Sequence, residues 1–195
     1  MKITDGVYQV DGVNCRVYLV EDGDKLILID TGLPRSDKKI LNELQSLGRK
    51  PTEVSTIVFT HHHMDHIGSA AKMKRATGAK TAAHEADSDY IAGNKTPPKP
   101  KNLMFKVLSS FVKPSPVGVD LILKDGDKVG RLLVIHTPGH SEGSISLLDT
   151  DRKTMFVGDS LRFVDGSFRS RQRSSLWITR KLKSRLEKSQ LTTST

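Results

Sequence analysis

The sequence predicts a mixed α/β fold, α+β in its grouping, and three observations carry that prediction. Short runs rich in β-branched and aromatic residues, closed by Gly and Asp turns, open the chain. Segments with apolar residues three and four apart come next, the period of an amphipathic helix. Strand-like runs then return from Val119 onward. Each half is thus a group of strands with one or more helices, in a length of 195 residues that suits one domain.

The first strands are "GVYQVDG" (6–12), "CRVYLVE" (15–21) and "DKLILID" (24–30). The first two are separated by a Gly-containing turn, as in a β-meander, and the third ends at Asp30 before the turn signal "TGLP". "RSDKKILNELQSLG" (35–48) reads as a helix, with Ile40, Leu41, Leu44 and Leu47 on one stripe and Gly48 as its stop. "VSTIVFT" (54–60) is a continuous apolar run of buried-strand type, "IGSAAKMKRATG" (67–78) is helical, and "KTAAHEA" (80–86) is a short strand running into a helix start. A polar, Pro- and Lys-rich loop, "GNKTPPKPKN" (93–102), precedes a further helix, "LMFKVLSSFVK" (103–113). The second half reads as strands in "VDLILKDGDKVG" (119–130), "RLLVIHTPGH" (131–140), "GSISLLDTD" (143–151) and "KTMFVGDS" (153–160). Its turns "KDGD" and "DTDRK" are hairpin signals.

Composition narrows the class. A single cysteine, Cys15, allows no disulfide within the chain and reads as a core thiol. The N-terminus has no apolar signal region and no run reaches transmembrane length, so a soluble, cytoplasmic protein without a membrane partner is expected. The net charge of +9 is unevenly placed: residues 169–195 hold eight Lys or Arg against Glu187 alone, which leaves +2 for residues 1–168. A nearly neutral body argues against nucleic acid as a partner. The segment 169–195 also holds ten Ser or Thr and only six apolar residues, with Ile178, Leu182 and Leu186 spaced for one weak helix. The expected division is therefore a folded domain over 1–168 and a basic Ser/Arg/Lys-rich tail over 169–195, weakly helical or disordered.

The chemistry gathers in "FTHHHMDHIG" (59–68), which holds four of the seven histidines between an apolar strand and a helix. In extended chain, residues two apart point the same way, so His61 and His63 can face one point while His62 faces away. Asp65 and His66 follow at the turn into the helix and can converge on a neighbouring point. Imidazole with carboxylate suits zinc, iron or manganese better than magnesium or calcium, and two adjacent points suggest two ions. His140 in "HTPGHSEGS" and Asp159 in "FVGDS" also sit at strand ends, and Asp159 is the natural carboxylate bridge. His62 is expected to be exposed, His84 to lie at the surface or in a substrate pocket, and His136 to pack in its strand or behind the ligands.

The combination of "THHHMDHIG", "HTPGHSEGS" and "VGDS", with Asp30 in "ILIDTG", resembles the metallo-β-lactamase-fold hydrolase superfamily over roughly residues 5–165. The compact domain is more similar to the glyoxalase II-like and lactonase-like members than to nuclease members. The resemblance implies a four-layer αββα sandwich with metal at one edge of two sheets. It implies that His61, His63, His140 and Asp159 hold one ion, and Asp65, His66 and Asp159 hold a second, together with a late histidine. Zinc, as one or two ions, is the expected cofactor, with iron or manganese as alternatives. A metal-bridging hydroxide would attack a small ester, thioester or lactone; Asp65 is the expected catalytic residue, orienting the hydroxide and handling its proton. Asp30 would orient a ligand or the loop without touching metal. The other readings are a mononuclear-iron dioxygenase of the same fold and a catalytically impaired member.

The impaired reading arises because no histidine follows His140. The last ligand and last strand of the family pattern are expected to be missing, as in a truncated or frameshifted reading frame. A weakened second metal and a raw sheet edge open to homodimerisation are the expected consequences.

Overall fold

The structure, a computed structural model, describes residues 1–97, 114–164 and 167–170. Its larger sheet has seven strands in chain order: β1 (Lys2–Thr4), β2 (Val7–Gln9), β3 (Tyr18–Asp22), β4 (Lys25–Ile29), β5 (Val54–Val58), β6 (Lys80–His84) and β7 (Leu121–Leu123). The first four form an antiparallel meander; β4 to β7 run parallel. Parallel neighbours need crossover connections. Here α1 (Asp37–Ser46) links β4 to β5, and α2 (Met64–Ile67) with α3 (Ala70–Thr77) links β5 to β6. A fourth helix, α4 (Glu85–Ile91), starts directly from the end of β6.

The second sheet is antiparallel, in the order β11 (Thr154–Phe156), β10 (Ile145–Asp149), β9 (Leu132–His136), β8 (Lys128–Val129). A two-stranded ribbon of β12 (Leu161–Val164) and β13 (Ser167–Ser170) follows. It crosses the expected boundary at residue 168. Residues 171–195, with the expected weak helix and the question of a last strand, lie outside the described residues, as does the helix expected over 103–113.

The period of two residues assigns the two cores. On β4, Leu26 and Leu28 face the helices and pack with Ile40, Leu44 and Met73. Ile27 and Ile29 face the second sheet and pack with Val134, Leu147 and Phe156. A strand buried on both faces must read as an unbroken apolar run, which is why "LILI" does not alternate. The result is an α/β sandwich with helices on the outer face of the larger sheet. Its second sheet carries Ile135 and Leu148 on the far face, with Leu133, Met155 and Leu161 against them.

One expectation is corrected and one strand is added. "KDGD" is a turn but not a hairpin: β7 pairs with β6 in the first sheet and β8 with β9 in the second. Leu123 and Val129 both bury in the core between the sheets, so the arms face each other across the sandwich instead of pairing edge to edge. The strand β1, with Lys2 and Ile3 exposed, carries no alternation and was not anticipated from the sequence. "DTDRK" does join the antiparallel pair β10 and β11. Among the described residues no helix is long and apolar enough to cross a membrane.

One buried carboxylate ties the far ends of the sheets. Asp149 Oδ2 accepts from Arg131 Nε at 2.8 Å and Arg152 Nη1 at 2.9 Å, and Oδ1 accepts from Arg152 N at 3.1 Å. Arg152 in turn donates to Glu21 O and Asp5 O on the first sheet. Burial acts to raise the Asp149 pKa, but the bonds from Arg152 and Arg131 outweigh it and hold the carboxyl below its usual range. Asp149→Asn is expected to cost about 1.5–3 kcal/mol in urea unfolding at neutral pH. The stabilisation is complete above about pH 4 and is lost as pH falls through the lower folded pKa, so wild type and variant should converge in acid.

Candidate metal centre

The candidate site lies where strand ends from both sheets meet. β4 ends into Asp30, β5 into Thr60 and His61, β9 into the His140 loop and β11 into Asp159. Asp30 takes a left-handed φ of 60°, uncommon for a residue with a side chain. What it gains is contact: Oδ1 accepts from Thr60 N at 2.8 Å, and Oδ2 accepts from Thr60 Oγ1 at 2.8 Å and faces His66 Nδ1 at 2.7 Å. Thr60 Oγ1 also lies 3.1 Å from His61 Nδ1. One carboxylate thus occupies the Nδ1 side of His66 directly and of His61 through a hydroxyl. The Nε2 atoms of both rings are left toward the centre, buried and without a hydrogen-bond partner among the described residues. Buried polar nitrogens are rarely left so, and a cation would satisfy both lone pairs.

The backbone builds the rest. His63 is extended, at φ −70° and ψ 149°, and caps α2, so the alternation between His61 and His63 holds up to the helix. The helix end is pinned by Thr31, whose N and Oγ1 both donate to His66 O, at 2.7 and 3.0 Å. Gly68 follows because a Cβ there would stand 2.3 Å from Pro34 N.

Two donor groups result among the described residues. His61, His63 and His140 form one, and His61, His66 and Asp159 the other, each with donor atoms within 4.8 Å of one another. Ring centroids lie 4.7 Å apart for His61–His63, 4.4 Å for His63–His140 and 4.0 Å for His61–His66. Asp159 stands between the groups, with Oδ2 3.4 Å from His140 Nε2 and Oδ1 3.7 Å from His66 Nε2. Asp65 is at the rim, half exposed, with Oδ2 3.8 Å from His66 Nε2. His61, shared by both groups, differs from the expected split in which it served one ion alone.

Electrostatics separate the histidines. Burial, then the neighbouring imidazoles, lowers His61 well below its ordinary value and brings His63 to about 4. Burial lowers His140 as well, against the pull of Asp159. Burial would also lower His66, but the charge and hydrogen bond of Asp30, helped by Asp65 and Asp159, raise it to about 9. Neutral imidazoles are the ligand form, and three of the four are held neutral by the fold.

All the candidate residues named from the sequence come to this edge. Three other expectations fail or sharpen. His62 is not exposed: it is 7% accessible, stacks on Tyr90 with centroids 4.6 Å apart, and its Nδ1 is 3.0 Å from Asp87 Oδ2. His84 is not at the surface: it is 5% accessible, stacks on half-buried His136 at 4.0 Å, and accepts from Ala86 N as the cap of α4. Cys15 is partly buried against the helix-side core, and burial pushes its thiol up. Sequence reasoning missed Thr60 and Asp87. An acid in "HEADSDY" looks like a solvated helix face, and no local signal distinguishes it.

An α/β sandwich with a two-focus histidine–carboxylate cluster at its strand ends is the class defined by these features. The chain belongs to the metallo-beta-lactamase superfamily, whose model matches residues 10–189 and so reaches into the stretch set apart as a tail. It is 30% identical to human acyl-coenzyme A thioesterase MBLAC2 over 84% of this chain and 65% of that protein. Its identity to the hydroxyacylglutathione hydrolase of Nitrobacter winogradskyi is 32%, over 60% and 38% of the two chains. Among solved structures it resembles BJP-1, a subclass B3 metallo-beta-lactamase of Bradyrhizobium japonicum, with a TM-score of 0.66 and 30% identity over 87% and 59%. The chain spans less than two thirds of each of these relatives.

The raised His66 pKa makes a prediction for the metal-free protein. The His66–Asp30 pair stabilises it fully below the ordinary histidine value of 6.5, and that contribution is lost as pH rises through about 9. Unfolding of metal-free wild type and Asp30→Asn should therefore differ most at about pH 6, and the gap should shrink as pH rises and be nearly closed at about pH 10.

Proposed function

We propose that this protein is a metal-dependent hydrolase of small carboxylic esters, thioesters or lactones, with zinc as one or two ions. The observation that carries this reading is the pair of buried, unpartnered Nε2 atoms on His61 and His66, aimed into two donor groups that share His61. Three histidines with a carboxylate is a zinc-type donor set. His61, His63 and His140 would hold one ion beside Asp159, and His66 and Asp159 the other, with His61 within reach of both and Asp65 at the rim beside His66. A bound divalent metal would supply a water of near-neutral pKa and polarise the acyl carbonyl. The chain's own residues do the rest. Asp30 and Thr60 fix the ring orientations of His66 and His61 from behind. Asp65 is half exposed at the rim, its Oδ2 3.8 Å from His66 Nε2, and there its carboxylate would take a proton from water and return it to the leaving group.

Family membership and the likeness to a protein named acyl-coenzyme A thioesterase support acyl transfer to water as the reaction class. Esters, thioesters, lactones and β-lactams all present a carbonyl to such a centre, so only turnover separates them.

The test is metal analysis of anaerobically purified full chain, followed by a panel of thioester, lactone, ester and β-lactam substrates. Zinc, with ester or thioester cleavage that is lost on chelation and restored by zinc, is the expected result. His63→Ala should lose metal and at least about a hundredfold in kcat/KM, beyond the ten- to hundredfold cost of losing an outer partner. Iron with oxygen uptake and no hydrolysis would overturn the reading in favour of a dioxygenase. A folded chain that binds no metal would overturn it in favour of an inactive member.

A further inference from the structure

The middle histidine of the triplet and the acid at position 87 have no place in the metal centre, yet both are buried. Asp87 is 1% accessible and lies on α4, outside both donor groups. Its carboxylate is nonetheless filled from two directions. Oδ2 accepts from His62 N at 2.9 Å, and His62 sits between His61 and His63. The same oxygen accepts from Ser141 Oγ at 2.7 Å, and Oδ1 accepts from Gly143 N at 2.9 Å, both on the loop that carries His140. The packing there leaves no slack: a Cβ on Gly143 would stand 2.5 Å from Asp87 Cγ. Tyr90, one turn further along α4 on the same face, stacks on the His62 ring beside it.

From this geometry we infer that Asp87 is a positioning residue, clamping the His140 loop to the His61–His63 loop so that three imidazoles from two separate loops converge. The physical need is clear. His140 enters from the second sheet and His61 and His63 from the first. A backbone bond from Ile145 N to Thr60 O, 2.9 Å, joins the sheets after the His140 loop, so it does not by itself fix the loop at His140. A carboxylate has two oxygens and several lone pairs, so it can accept from both loops at once. An amide of the same size has one acceptor oxygen and must turn its NH₂ toward donors. The clamp rests on the hydrolase reading only for its metal readout, and the loops can be followed without metal.

The experiment uses the full chain as wild type, Asp87→Asn, Ser141→Ala and Asp149→Asn. Zinc affinity is read by chelator competition, and amide hydrogen exchange is read on the metal-free proteins. Asp87→Asn should lower zinc affinity by about tenfold or more and speed exchange across residues 139–144. Ser141→Ala, which removes one of the three bonds, should give a smaller fall of about threefold. Asp149→Asn loses a buried carboxylate at the far end of the sheets, so it should change stability and leave zinc affinity within about twofold of wild type. That control separates positioning from general destabilisation. An unchanged zinc affinity in Asp87→Asn, or a fall matched by Asp149→Asn, would overturn the inference. Should Asp87→Asn not fold, Ser141→Ala decides, and an unchanged affinity there overturns it. If wild type takes up no zinc, the hydrolase reading fails; the exchange comparison then decides alone, and equal protection of 139–144 in Asp87→Asn and Asp149→Asn sinks the clamp.

Discussion

The Asp30 carboxylate, buried and accepting from Thr60 twice while facing His66, is the interaction on which the site depends. It exists because β4 and β5 pair in parallel with Ile29 opposite Val58, so that both strands end at the same level. The next residues of each, Asp30 and Phe59–Thr60, then emerge side by side. Asp30 must bend into a left-handed backbone to aim its side chain back at Thr60, and the hydrogen bonds it makes offset that strain. Without this carboxylate, the Nδ1 of His66 would lose its nearest partner, and the Thr60 hydroxyl that meets the Nδ1 of His61 would lose its anchor.

A second buried carboxylate repeats the logic at a different junction. Asp30 joins strand ends within the larger sheet, and Asp87 joins a loop of that sheet to a loop of the other. At the opposite end of the sandwich Asp149 anchors two arginines, of which Arg152 reaches across to the first sheet. A buried carboxylate is costly unless every lone pair finds a donor. Each of these three is met by donors from more than one segment, so each converts a solvation cost into a geometric constraint. The apolar cores set which faces meet, and the carboxylates set how the edges register.

Much of the site was legible along the chain. "HHHMDH" reads as a ligand run because extended backbone alternates and a helix follows, and the structure keeps both features around His63. His140 and Asp159 were legible as strand-end residues in Gly-flanked loops. Asp87 was not, because its partners are 25 and 54 to 56 residues away and its own surroundings look like an ordinary helix start. The burial of His62 was missed for the same reason: alternation says it points away from His61 and His63, but not that Tyr90 and Asp87 wait on that side. "KDGD" shows the limit for strands, since turn chemistry specifies a reversal and only the core decides whether the arms share a sheet.

The sequence by itself determined the local order of strands and helices, the family, and which residues are the candidate donors. These follow from periodicity, turn residues and residue chemistry within a few positions of one another. Only the tertiary structure decided that His61 faces both donor groups, that Asp65 stays at the rim, and which carboxylates hold the loops in place. Those outcomes depend on distances between segments far apart in the chain, and such distances are set by how two sheets and their helices exclude water together.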